Sequence, residues 1–455
     1  MVISVAEEHE TSQQSAVSDK YNGHAWFISY LLSNVSSGLT SPLIPLFVVV
    51  YLQSNVEFVG ITSSIASAAS VPALIFWGNL SDRIGRRKIF LIIGFLGSFL
   101  SLLLILVVNT LGMYILTLVI FQVVAMAATP VATLLILEST VEKKWPNVMA
   151  SFNTISYIGL VAGLIAGTLI LEVVGHGGRS VLPTLYLYSA IVYLAAAISA
   201  VFLLKEPERK LSRESHALSR VFSFRMVERN RFFPNAVIHT PRILKEKGKK
   251  LSPRTMKYII LTAFLMFGFQ VFFVPFPVFV IDKLNGNETD IFVMYLLNNI
   301  ASAVAFRVSG RSVNSLGLTK TMGIALFSRV AIIAAADVLS LLLMGFSFAL
   351  WFAISLYGIM GFFWSFISVS WVTSISKLAL PENRGKAIGY YNSFLGIGQI
   401  AGGLVSGIVS QVAGYNINFV VATVAVLGGA LTILRYQSSI TALNESGTRI
   451  RGIPH

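Results

Sequence analysis

Residues 78–108 read GNLSDRIGRRKIFLIIGFLGSFLSLLLILVV. From Ile89 to Val108 no residue is charged, and a helix of about 20 such residues, rising 1.5 Å per residue, crosses the ~30 Å hydrocarbon core of a bilayer. Strands of a membrane barrel would instead alternate polar and apolar positions over about 10 residues, and this run does not alternate. The first part of the stretch is its opposite. Asp82, Arg83, Arg86, Arg87 and Lys88 crowd into one connection.

The same contrast repeats along the chain. Of 455 residues, 55% are hydrophobic and only 12% charged, with a mean hydropathy of +0.76, which is the make-up of a membrane protein rather than of a water-soluble globule. Apolar runs predict twelve transmembrane helices, spans 1 to 12. They lie at roughly 24–51, 58–80, 88–108, 111–138, 147–172, 182–204, 257–281, 290–311, 320–344, 347–376, 386–412 and 415–435. The fold class expected is all-α.

The net charge of +14 is placed asymmetrically. Lys and Arg fill alternate connections: Arg83 to Lys88, Lys143 and Lys144, a dense run after span 6, then Arg311, Lys377, Arg384 and Lys386. The intervening connections hold only Arg179 and Lys283. This is the positive-inside bias, and it predicts cytoplasmic termini and a plasma-membrane, multi-pass protein. Lys205 to Arg254 holds fourteen Lys or Arg against five Glu. Two readings of that stretch stand: a solvated linker, or an amphipathic helix lying on an anionic leaflet. No folded module surrounds the charge, so a nucleic-acid partner is not expected. The organisation read from these features is a cytoplasmic tail at 1–23, six spans at 24–204, a basic linker at 205–256, six spans at 257–436 and a cytoplasmic tail at 437–455. The first tail is polar, with Glu7, Glu8, Glu10 and Asp19, and lacks the form of a cleaved signal peptide.

The two sets of spans share a pattern. Gly78 and Gly85 recur 232 residues later as Gly310 and Gly317, and Pro45, Phe47 and Val48 recur at the same offset as Pro277, Phe279 and Val280. Asn153, Gly159 and Gly163 recur 239 residues later as Asn392, Gly398 and Gly402. Duplicated six-helix units around a midplane site describe an alternating-access transporter.

GNLSDRIGRR fits GxxxDRxGRR at every fixed position, and with twelve spans and a basic central linker the chain resembles the major facilitator superfamily over nearly its whole length. Gly78, Asp82, Arg83, Gly85, Arg86 and Arg87 are the matching positions. Gly85 suits a turn needing positive φ, Gly78 a close backbone approach, and the basic residues an anchor at the cytoplasmic face. The second copy carries Asn314 where Asp82 stands. The resemblance implies a latch between Asp82 and the start of span 11, near Arg384 and Lys386, in the outward-open state.

The resemblance also implies a central cavity. The positions it points to are Asn34, Ser37, Thr40, Gln122, Thr129, Thr133, Asn153 and Ser156 in the first set of spans. In the second set they are Gln270, Phe273, Tyr295, Asn298, Asn299, Tyr357, Trp364, Ser368, Tyr391, Asn392 and Gln399. Each such group serves helix packing as readily as ligand contact. Pro45 and Pro277 lie near the outer ends of spans 1 and 7; with Gly159, Gly163, Gly398 and Gly402 they form a candidate gating set, or else mark irregular packing. Charges at membrane depth are costly and informative. Arg329 and Asp337 lie on span 9, separated by about 12 Å of axial rise, and Glu138 and Arg307 lie near inner helix ends. Glu138, Asp337 and Arg329 are the candidates for coupling to a proton gradient; span 9 is peripheral in the family, which favours a structural role for the latter two.

Resemblance to the drug-exporting branch is partial: Gln122 of its span 4 pattern is kept while Val119 replaces the arginine, and Leu164 replaces the proline of its span 5 pattern. The expected function is secondary transport of a small organic molecule, export of an amphiphilic or neutral compound, acting as a monomer without cofactor or metal. Uptake of a sugar, organic acid or other metabolite is the alternative, and a transporter-like sensor a further one. The sequence has no cysteine and lacks HExxH, GxSxG and GxxxxGK[ST], which argues against an enzyme and against ATP drive. Asn287-Glu288-Thr289 matches a glycosylation sequon.

Overall fold

Every backbone amide inside a bilayer needs a partner within the segment, so long apolar runs must coil into helices. In the computed structural model, which describes residues 25–84, 86–129, 131–132, 135–136, 145–173, 181–204, 251–379 and 384–450, helices account for these runs and no strand occurs among the described residues. The long helices are α1 (Phe27–Thr40), α2 (Val56–Ile84), α3 (Arg87–Ile105), α4 (Leu111–Ala125), α5 (Trp145–Val173) and α6 (Val181–Leu203). They continue with α7 (Pro253–Phe273), α8 (Glu288–Leu316), α9 (Leu318–Val338), α10 (Ala349–Leu378) and α11 (Arg384–Ile450). Among the described residues ten segments are long and apolar enough to cross a membrane. Their outward faces carry exposed large apolar side chains such as Phe202, Val424 and Trp351, the surface a lipid-facing helix needs.

Helix ends follow local chemistry. Ser252 caps α7 through Oγ, 3.1 Å from the Thr255 amide, with Pro253 in the first turn. Asn287 and Asp290 form a reciprocal capping box on α8, at 2.9 and 2.8 Å. The Asn287 amide is therefore spent on a helix start, which is a structural use of the sequon residue. Gly317, at φ +84, separates α8 from α9, and Gly414, at φ +87, breaks α11 into two arms. Both need a residue without Cβ. α11 stays helical to Ile450, through the beginning of the stretch expected to be a tail.

Spans 1 and 7, read as single spans bent near Pro45 and Pro277, are both broken. α1 stops at Thr40, and the chain resumes as a helical turn at Leu43–Leu46 and a π-helical turn at Phe47–Tyr51; α7 stops at Phe273 and resumes at Phe276–Leu284. The prolines at the breaks are Pro42 and Pro275, each standing as the N-cap of the new segment, not Pro45 and Pro277, which lie within those segments. A proline frees the carbonyl four residues before it. Ser41 Oγ reaches the Gly38 carbonyl at 3.4 Å, and Asn418 Nδ2 donates to the Val271 carbonyl at 2.7 Å.

Contacts sort the helices. α1 packs on α5 and α6, α3 on α4 and α6, and α2 on α4; α7 packs on α11, α8 on α10, and α9 on α10 and α11. Between these groups the principal contacts are α2 with α11 and α5 with α8.

Candidate functional site

Small residues bring backbones together. Along α5 and α1, a side-chain carbon at Gly159 would strike the Leu31 carbonyl, at Gly163 the Val35 carbonyl, and at Gly38 the Leu160 carbonyl. Along α11 and α7, Gly398 faces the Ala263 carbonyl in the same way, and Gly402 the Phe267 carbonyl. Ala263 and Phe267 stand 232 residues after Leu31 and Val35, so the two helix pairs meet in the same register. Position 38 breaks the match: its counterpart is Gln270, whose Cβ would lie 2.7 Å from a carbon added to Gly402.

Gln270 projects into a cleft of about 60 Å³. Ser41, Ile44 and Pro45 line it from the α1 break, Val59, Ser63 and Ser67 from α2, Gln270, Phe273 and Val274 from α7, Tyr295 from α8, and Gln399 and Gly403 from α11. No Asp, Glu, Lys or Arg is among these lining residues. Gln399 Oε1 is buried without a hydrogen-bond partner, an acceptor that a solute in the cleft could satisfy. Towards the end of the molecule that bears Asn55, the cleft is shut by α2 against α11. A carbon on Gly60 would strike the Gly403 carbonyl, one on Gly407 would lie 2.7 Å from the Glu57 carbonyl, and Ser64 Oγ donates to the Ile400 carbonyl at 2.9 Å. On the same side Gly167 of α5 accommodates the Phe292 ring of α8. Above this closure lies a polar hollow of about 460 Å³ containing Gln53, Asn55, Asp282, Lys283 and Tyr415.

Of the residues expected in a cavity, Gln270, Phe273, Tyr295 and Gln399 come together here, with Pro45 beside them. Others are used elsewhere. Asn34 Nδ2 donates to the Tyr30 carbonyl of its own helix, Asn299 Nδ2 to the Tyr295 carbonyl at 2.9 Å, and Asn298 Nδ2 to the Tyr357 carbonyl at 2.6 Å, tying α8 to α10. These three amides satisfy carbonyls and do not line the cleft. Ser37 and Thr40 likewise bond backward along α1, as does Ser156 along α5.

Tyr357 packs among Phe273, Phe276 and Tyr295 at centroid distances of 5.2, 5.7 and 5.5 Å. Trp364 and Tyr391 flank Trp371 at 6.1 and 6.4 Å. Gln122 and Ser368 are buried, and the Oδ1 atoms of Asn153 and Asn392 are buried without hydrogen-bond partners, but none of these lines the cleft. Pro277 is buried in the segment after the α7 break. The cleft serines of α2 were missed. Ser63 and Ser67, four residues apart, share one helix face, a signal the sequence did contain.

In the charged connection Gly78 is buried and Arg86 exposed. Arg87, expected to anchor the connection at the cytoplasmic face, is buried, its Nη1 donating to Ser81 Oγ at 2.7 Å: it staples the end of α2 to the start of α3. Gly317 shows the positive φ expected of its counterpart Gly85, and a side-chain carbon on Gly310, the counterpart of Gly78, would meet open space. Gly85, Glu138 and Thr133 lie outside the described residues, as do the side chains of Asp82, Arg83, Arg384 and Lys386. Asp337 is half-buried on α9, its Oδ1 without a hydrogen-bond partner. Arg329, for which a structural role was favoured, is buried, its Nη2 donating to the Met360 carbonyl of α10 at 3.1 Å.

The model of the Major Facilitator Superfamily matches residues 26–336. The chain belongs to this superfamily. No curated protein sequence matches it. Among solved structures it resembles a variant of the nucleoside transporter NupG, with a TM-score of 0.69 at 14% identity over 90% of this chain and 98% of that one. It also resembles a bacterial homolog of the human lysosomal transporter Spinster in an inward-facing, unoccupied conformation, with a TM-score of 0.63 at 13% identity over 93% and 96%. A third is the human organic anion transporter MFSD10 (TETRAN), with a TM-score of 0.55 at 15% identity over 90% and 98%. These likenesses are of fold. The protein is a multi-pass membrane transporter of the superfamily and not an enzyme.

Proposed function

We propose that the protein is a secondary transporter that moves a small, neutral, ring-bearing amphiphile by alternating access through the cleft between α1–α2 and α7–α8–α11. The carrying observation is the lining: two glutamine amides, a phenol, an aromatic ring and serine hydroxyls, with no charged group. Neutral hydrogen-bonding groups beside apolar walls recognise a solute with a few polar atoms on a flat apolar body, whereas a phosphate ester would call for cations. Twelve helices in two six-helix units, 24–204 and 257–436, follow from counting α11 as two spans across Gly414. Closure of α2 on α11 describes a state shut at the face the positive-inside bias assigns to the exterior.

Export from the plasma membrane is the direction carried over from the sequence reading. The alternative, uptake of a neutral metabolite, draws support from the likeness to a nucleoside transporter. A proton gradient drives transport through Asp337 or Glu138.

The test is a panel of radiolabelled solutes (uridine, a planar cationic dye, a sugar and an organic acid) in proteoliposomes, with and without an imposed proton gradient. Neutral ring-bearing solutes should accumulate, with direction read from protein orientation. Accumulation of the organic acid alone would refute the reading of the cleft, and gradient-driven accumulation unchanged in both Asp337→Asn and Glu138→Gln would remove both as proton carriers.

A further inference from the structure

Arg329 sits at membrane depth in α9 with its side chain buried, although a guanidinium stays protonated in any protein environment and a buried charge there is costly unless compensated. Part of its compensation is aromatic. The guanidinium carbon lies 4.4 Å from the ring centroid of Phe269, 5.2 Å from that of Phe273 and 5.2 Å from that of Trp364, while Nη2 takes the Met360 carbonyl. Phe269 and Trp364 meet edge to face, at 6.4 Å and 84°. Three aromatic side chains from α7 and α10 are thus gathered around one cation from α9.

Phe273 belongs to both places: it contacts Arg329 and it lines the cleft. Two consequences follow from this geometry. The cation holds the ring in one orientation, since a desolvated cation–π contact is lost if the ring turns away. It also draws electron density from the ring, and an aromatic so polarised stacks better on an electron-rich planar partner than on a saturated one.

We infer that Arg329 is a positioning residue that acts through Phe273 to set the cleft's preference for a neutral, electron-rich planar ring over a saturated ring of similar size. The inference rests on the proposed passage of a neutral solute through this cleft, and deepens it by naming the feature the cleft selects.

The test uses the full chain in proteoliposomes with adenosine as the planar probe and ribose as the saturated one, in Arg329→Met and Arg329→Lys. In parallel, 4-fluorophenylalanine at position 273 reports the ring by fluorine NMR. Arg329→Met should raise KM for adenosine about ten-fold, within the range of a cation–π contact, with the maximal rate within about two-fold and KM for ribose unchanged. The single ring resonance should broaden or split. Arg329→Lys keeps the charge and loses the planar face, so an intermediate rise of about three-fold is expected, and it carries the test should Arg329→Met fail to fold. Unchanged discrimination between the probes, or an unaltered ring resonance, would overturn the inference. Should the intact protein move neither probe, the neutral-solute reading falls instead, and the fluorine spectrum alone decides whether Arg329 positions Phe273.

Discussion

The contact of α1 with α5 and the contact of α7 with α11 share a register yet end differently. In both, two glycines four residues apart let one backbone lie on the carbonyls of the other: Gly159 and Gly163 on Leu31 and Val35, Gly398 and Gly402 on Ala263 and Phe267. One turn further along, α1 supplies Gly38 and prolongs the backbone contact, whereas α7 supplies Gln270 and opens the cleft. The helix breaks differ in the same sense. The carbonyl freed before Pro42 has a long contact from Ser41 of the same segment, and the one freed before Pro275 is held at 2.7 Å by Asn418 from the second arm of α11. The same contact register continues as backbone on backbone on one side and gives way to a cleft-lining, externally braced helix on the other.

Overpacking is the strongest way to break the comparison. Gly163→Leu places a side chain against the backbone of Val35, which cannot move aside, and we expect loss of folded protein by size-exclusion chromatography. Gly402→Leu meets the Phe267 backbone and the Gln270 Cβ, neither of which can move aside, so the shared register requires the same loss of folded protein. A Gly402→Leu protein that folds while Gly163→Leu does not would contradict the shared register.

The breaks give the next largest effect. Asn418→Leu strands the Val271 carbonyl and should destabilise by about 0.6–1.7 kcal/mol, the measured range for side-chain hydrogen bonds between membrane helices. Ser41→Ala should cost clearly less. Reversible unfolding in mixed detergent would rank them, and a larger loss in Ser41→Ala would contradict the braced-hinge account.

The smallest effect concerns the charged connection, where one copy carries Asp82 and the other Asn314. A carboxylate at a helix start is favourable by about 0.3–1 kcal/mol when exposed, so Asp82→Asn should shift the population towards the inward-open state by less than about ten-fold. Spin-label distances across the ends of the two units near Arg87 and Lys377 would show this shift, and an unchanged distribution would rule out the latch.

The spans were legible because twenty uncharged residues in sequence have one solution in a bilayer. Which proline interrupts a helix was not. Pro42 and Pro45 stand three residues apart, as nearly do Pro275 and Pro277, and at Pro275 the freed carbonyl is taken by Asn418 from α11, a tertiary fact, while at Pro42 it is met by the adjacent Ser41. Amides posed a similar problem. Asn34 and Gln270 look alike as polar groups on apolar helices, but the shorter side chain bonds back to its own Tyr30 carbonyl while the longer one reaches the cleft. What surrounds Arg329 was not legible either, because helix order says nothing of which face of α9 turns inward, and the aromatics that receive it come from two other helices.

The central claim is that the solute meets Gln270 of α7 and not Asn34 of α1, and paired substitutions measured by initial-rate transport in proteoliposomes test it most directly. Gln270→Ala should raise KM about ten-fold, as expected when a buried hydrogen-bonding site loses its partner, with insertion and maximal rate preserved, while Asn34→Ala should leave KM within about two-fold and lower only stability. A KM unchanged in Gln270→Ala, or raised more in Asn34→Ala, would contradict the account.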